Sequence, residues 1–242
     1  SKNVWKCVYY HPKHKAYLVV YVDDFRMSAP VAAAKELWGE LRKKLDMSEP
    51  KEGGKFLGCL VKTGTRSFPV GGDPWADYPE AELNAAKKDG RLATARCNEY
   101  DMEHFFKSCI AKYCAVSGIN EGNLSYSATP FLDEQRLERE FIDKQAAAEK
   151  AGKPIDRGAL TEDASGVLMK VLYGARMARH DLLRCIGGLA SNVTKWTTFC
   201  DRKLHRLMCY IKSTLKMRMV SWVSSCDEGK LLYCNYADAD FA

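Results

Sequence analysis

From Ala16 to Val22 the chain is rich in β-branched and aromatic residues; it then meets Asp23 and Asp24, continues as Phe25-Arg26-Met27-Ser28, and soon reaches Pro30. This pattern predicts a strand, a two-residue Asp-Asp turn and a returning strand. Val4 to Tyr10 is strand-like as well, and the polar turn His11-Pro12-Lys13-His14-Lys15 follows it. The first 28 residues should therefore form three short antiparallel strands. Pro30 suits the first turn of a helix with Ser28 near its cap. Ala34, Leu37, Trp38, Leu41 and Leu45 then fall on one helical face, which should pack across the sheet.

Gly53-Gly54 breaks that helix, and Lys55 to Val61 reads as one strand with Gly58 inside it. Residues 62–97 carry Gly71-Gly72, Pro74 and Pro79, which predicts a long loop with a short helix between Ala81 and Lys88. Asn98 is placed to cap a helix bearing Met102, Phe105, Phe106, Cys109, Ile110 and Tyr113 at helical spacing, with a stop near Gly118. Residues 119–165 are polar and read as a connector with at most one loose helix. Leu168, Val171, Leu172, Ala175, Leu182, Ile186 and Leu189 mark helix interrupted at Arg179-His180-Asp181. Leu204, Leu207, Met208, Ile211 and Leu215 mark another stripe, and Lys230 to Tyr236 reads as a strand delivering Asp238 and Asp240.

The chain has 242 residues, 46% of them hydrophobic and 28% charged, which is enough for a full core and argues against wholesale disorder. No apolar run approaches a membrane span and no basic-then-apolar signal opens the chain, so an intracellular protein is expected. Ten cysteines are scattered without a CxxC pair and are expected to be mostly reduced. Cys200, His205 and Cys209 come nearest to a metal cluster, yet their spacing matches no zinc signature. The net charge of +6 is concentrated between Lys195 and Arg218, where seven basic residues face one acid, Asp201. Such a stripe suits a phosphate backbone, and equally the solvated face of an amphipathic helix.

The Asp23-Asp24 pair admits two readings. Adjacent like charges at a hairpin tip invite a divalent cation, as carboxylate pairs do at phosphoryl-transfer sites. Asp also favours ordinary solvated turns through local hydrogen bonding.

Six stretches, in order, resemble the polymerase polyprotein of copia-type long-terminal-repeat retrotransposons. Tyr21-Val22-Asp23-Asp24 resembles the reverse-transcriptase active-site box, and Phe56-Leu57-Gly58 the segment that begins the primer-gripping strand. Thr129-Pro130 resembles the step after the thumb, and Tyr173 to Leu182 the helix entry Y-x-A-R-x-T-R-P-D-[IL]. Tyr210-Ile211-Lys212-Ser213-Thr214 is similar to a YLKGT segment, and Asp238-Ala239-Asp240-Phe241-Ala242 to the box that opens the ribonuclease H domain. Ala178, His180 and Ser213 depart from the pattern, and the loop 62–97 is longer than it expects.

The resemblance implies an α+β fold: a partial polymerase palm, an antiparallel sheet with a packed helix, followed by a helical thumb and connection and the first ribonuclease H strand. The implied divisions are 1–97 palm, 98–130 thumb, 131–165 connector, 166–226 helical connection and 227–242 ribonuclease H, which is truncated. It implies a reverse transcriptase, in which a primer 3′-hydroxyl attacks a deoxynucleoside triphosphate with two magnesium ions at the site. Asp23 and Asp24 would be the catalytic metal ligands, and Asp238, preferred over Asp240, the ribonuclease H ligand. Tyr21, Val22, Phe56, Leu57 and Gly58 would bind the primer, and Arg202, Arg206, Lys212 and Lys216 the template–primer backbone. Lys51 or Lys55 could protonate pyrophosphate.

The further aspartate that the family takes from an earlier strand has no counterpart, because residues 1–20 contain no Asp or Glu. The chain reads as a fragment that is inactive alone. Its implied partners are an RNA or DNA template with primer, deoxynucleoside triphosphates and the rest of the polyprotein, without a membrane, in cytoplasmic particles and later the nucleus. The rival reading is a non-catalytic retroelement remnant that binds nucleic acid or serves a structural role.

Overall fold

Alternating β-branched and aromatic residues at the start of the chain make three strands: β1 (Val8–His11), β2 (Ala16–Tyr21) and β3 (Asp24–Ser28). They form an antiparallel sheet in the order β1-β2-β3, with Val8 opposite Val19 and Tyr17 opposite Ser28. The computed structural model describes residues 6–152, 156–227 and 229–230. Helix α1 (Val31–Arg42) follows, with Pro30 at its N-cap position and no side-chain cap, because Ser28 is taken up as the last residue of β3. Ala34, Leu37, Trp38 and Leu41 are half-buried on one face, Leu45 is exposed, and no α1 residue is fully buried.

The second sheet runs in the order β4 (Gly54–Phe56), β5 (Cys59–Pro69), β6 (Leu92–Asp101), β7 (Met219–Ser224). Four expectations change here. Leu57-Gly58 is a turn rather than strand interior, since Phe56 pairs with Cys59. Residues 62–97 hold the short helix expected there, α2 (Glu80–Lys88), but strands β5 and β6 flank it where loop was expected. Polar β5 residues such as Lys62, Thr63 and Thr65 obscure the period, but the backbone ladder needs no apolar side chain. Asn98 ends up in β6, so the next helix is held instead by Asp101, whose Oδ1 accepts the Glu103 N–H at 2.9 Å. Similarly, 219–224 is a strand inside a stretch read as helical.

The remaining helices are α3 (Glu103–Ser117), α4 (Glu134–Lys150), α5 (Ala164–Ala178), α6 (Leu183–Ala190) and α7 (Thr198–Ser213). Gly118, with φ 68°, ends α3 in the left-handed cap that glycine accepts most readily. The apolar stripes predicted on α3, α5, α6 and α7 form the main core, with Phe106, Ile110, Leu168, Ile186, Leu204 and Leu207 essentially inaccessible. A smaller core joins Phe68, Ala93 and Ala95.

The chain divides into two compact units. One holds the residues up to Val61 with Tyr100–Met219, the other Lys62–Glu99 with the residues from Val220 on. The protein is mixed α+β with antiparallel sheets. No described helix is long and apolar enough to cross a membrane. The strand expected at 230–236, with Asp238 and Asp240 after it, lies beyond Lys230 and outside the described residues.

Candidate active site

The β2–β3 ladder closes with Tyr21 opposite Asp24, so the two-residue turn is Val22-Asp23 rather than Asp23-Asp24. Val22 has φ 54° and is 84% exposed. Positive φ at the first loop residue alone matches a type II′ hairpin, a position that favours glycine. A β-branched residue there is strained. The register also separates the two carboxylates: Asp23 is exposed at the tip and Asp24 is half-buried on β3. Among the described residues neither is taken up by a hydrogen bond or ion pair.

A second two-residue turn lies beside this hairpin. Leu57 and Gly58 both have positive φ, 49° and 79°, the type I′ arrangement. Arg26, two residues after Asp24 and on the same face of β3, places its guanidinium 5.7 Å from the Phe56 ring centroid. From α5, the Tyr173 hydroxyl donates to the Leu57 carbonyl at 2.6 Å. Burial raises the Tyr173 pKa, and the nearby Tyr21 and Asp24 add to the rise. The structure therefore brings together Tyr21, Asp24, Phe56, Leu57 and Gly58, and adds Arg26 and Tyr173, whose contacts with the turn sequence reasoning missed. Tyr173 did stand in a singled-out motif, but its hydroxyl's target, a backbone carbonyl, leaves no mark in composition.

Lys55 is exposed on β4 next to Phe56, whereas exposed Lys51 lies in coil before the strand. Cys59, the first residue of β5, is buried and its thiol is pushed up by that burial.

The motifs further along lock to one another. Arg179 is only 3% exposed, and its guanidinium donates to both Asp181 carboxylate oxygens, at 2.9 and 2.8 Å. It also donates to the carbonyl and hydroxyl of Thr214, at 3.0 and 2.8 Å, and lies within 6 Å of the Phe106 and Tyr210 rings. The Tyr210 hydroxyl donates to Asp181 at 2.9 Å. Burial works to raise the Asp181 pKa, but hydrogen bonds and charge from Arg179 and Tyr210 outweigh it and hold the pKa down. Ser213, which replaces a glycine of the resembled pattern, accepts the Ser127 N–H at 2.9 Å.

The four basic candidates differ in their engagements. Arg206 donates to the carbonyl and hydroxyl of Thr129, at 3.0 and 3.2 Å, and Lys212 to the carbonyls of Glu121 and Leu124, at 2.6 and 3.1 Å. Arg202 and Lys216 are exposed. Among the described residues no group of three or more His, Cys, Asp or Glu could hold a metal ion. His205 and Cys209 do meet, with Nε2 3.5 Å from Sγ, while Cys200 contacts Thr197 instead.

No family model matches the chain, and neither does any curated protein or solved structure.

Proposed function

We propose that this chain is part of an RNA-directed DNA polymerase of the copia retrotransposon type, carrying two catalytic carboxylates and the turn that seats the primer end. The observation that supports this reading is convergence. The acidic hairpin, the Phe56-Leu57-Gly58 turn and Tyr173 meet although they are far apart in sequence.

The donor set suits magnesium, which prefers hard oxygen ligands, because both carboxylates are unengaged. When bound, the metal would neutralise charge on the transferring phosphoryl group and on departing pyrophosphate. Asp23 is the principal ligand in this reading and Asp24 the second. Tyr21 and Val22 form the floor under the primer terminus, and the bond from Tyr173 holds the Leu57-Gly58 turn rigid beside it. Arg202 and Lys216 are the residues best exposed to reach a template–primer backbone, with Arg206 and Lys212 anchoring the segment behind them. Asp238 would belong to the ribonuclease H site.

The chain's own residues before Tyr21 supply no third carboxylate. Primer extension on an RNA template by the polyprotein that carries this chain is the test. Extension that Asp23→Asn abolishes is expected, and equal extension by both proteins would overturn the assignment.

A further inference from the structure

The unit that holds Tyr100–Met219 carries an open cavity of about 430 Å³ that plays no part in the acidic site. Its volume falls in the range of small-molecule pockets. Ile119, Leu132 and Leu160 supply its apolar wall, and Tyr113, His205 and Cys209 reach it from α3 and α7.

The buried polar groups along the wall are already satisfied. The Tyr113 hydroxyl lies 3.0 Å from His205 Nδ1, and His205 Nε2 lies 3.5 Å from Cys209 Sγ. Asp201, the one acid of the wall, accepts from the N–H groups of Ala159 and Leu160, at 2.6 and 3.2 Å, and from the Trp196 indole at 2.7 Å. An apolar body can therefore enter without orphaning a buried donor or acceptor. Two cations line the same cavity. Arg206 is fixed on Thr129, whereas Arg202 is exposed and has no hydrogen-bond partner among the described residues.

We propose that this cavity binds a small organic anion, a medium-chain carboxylate whose hydrocarbon body lies along Ile119, Leu132 and Leu160 and whose carboxylate meets Arg202. A guanidinium with uncommitted donors pairs with carboxylate in a planar fork, which sets the orientation of the guest. Arg202 would also serve the template–primer backbone in the polymerase reading, but nothing else in this site depends on that reading.

Octanoate titrated calorimetrically into the 242-residue chain tests it. A single saturable site is expected, with 1-octanol binding at least about tenfold more weakly and Arg202→Gln weakening octanoate by about tenfold. Ile119→Trp, which fills the cavity, should abolish binding while the thermal midpoint stays near that of the wild type. If that variant fails to fold, Ser125→Trp at the exposed edge of the cavity serves in its place. Absence of octanoate binding, equal binding of octanol, or binding that survives a folded tryptophan variant overturns the proposal.

Discussion

Val22 shows what a single residue can conceal. Valine favours strands, and the run from Ala16 to Val22 reads as unbroken strand, yet the backbone turns at Val22 with φ 54°. Pairing of Tyr21 with Asp24 decided this, because the ladder closes one residue earlier than an Asp-Asp turn would allow. Strain of this kind persists only where the surroundings impose it, and it clusters at functional hairpins. Val22→Gly should therefore raise stability by about 1 kcal/mol, read as a higher urea midpoint with unchanged slope. An unchanged or lower midpoint would show that the turn is not strained. The Asp23-Asp24 pair itself was legible in the sequence, but the placement of one carboxylate on the tip and the other on the strand was not.

At the scale of elements, the amphipathic helices were the most legible, because their stripes repeat over three or four turns. The break between α5 and α6 was visible as Arg179-His180-Asp181. How closely α5 approaches α3 was not visible. A Cβ added at Gly174 would lie 2.8 Å from the Phe106 ring and 2.9 Å from Phe105, so the two helices touch where glycine leaves room. Gly174→Ala should cost about 1 to 3 kcal/mol through overpacking, despite alanine's better helix propensity. Chemical denaturation measures this, and a stabilised variant would mean that the phenylalanine rings swing aside freely. Most of β5, and all of β6 and β7, escaped detection for the opposite reason. They are short of apolar alternation, and their strand character rests on backbone pairing with partners distant in sequence.

For the whole molecule, charged contacts link segments that the chain keeps far apart. Arg218, just after α7, pairs with Asp101 at 3.2 Å and with Glu103 at 2.6 Å at the start of α3. Hydrogen bonds from Lys107 and Arg218 hold the Glu103 carboxyl down from its usual 4.5 to about 2. A depressed acid stabilises the fold above its unfolded value, and that contribution is lost as pH falls from about 4.5 toward 2. Asp181 acts in the same direction. At the other end, burial raises the Cys109 thiol from 9.0 and the Tyr113 phenol from 10.0, each to about 12. Their contribution is complete below the unfolded values and fades as pH rises toward 12. Stability should thus fall on both sides, with Glu103→Gln flattening the acid limb only. Thermal midpoints measured from pH 2 to 11 check this, and an acid limb unchanged in the variant would refute the role given to Glu103.

The sequence by itself determined the three-strand opening, the helical stripes, the position of the acidic pair and the local excess of positive charge. These depend on residue type and short-range period, which chain order preserves. Tertiary structure alone decided which of these features meet. It set Tyr173 on the Leu57 carbonyl, buried Arg179 between two rings, and committed Arg206 and Lys212 to backbone carbonyls while leaving Arg202 exposed beside a cavity. Such pairings join residues tens of positions apart through hydrogen bonds, often to backbone atoms, and backbone atoms are the same at every position in the sequence.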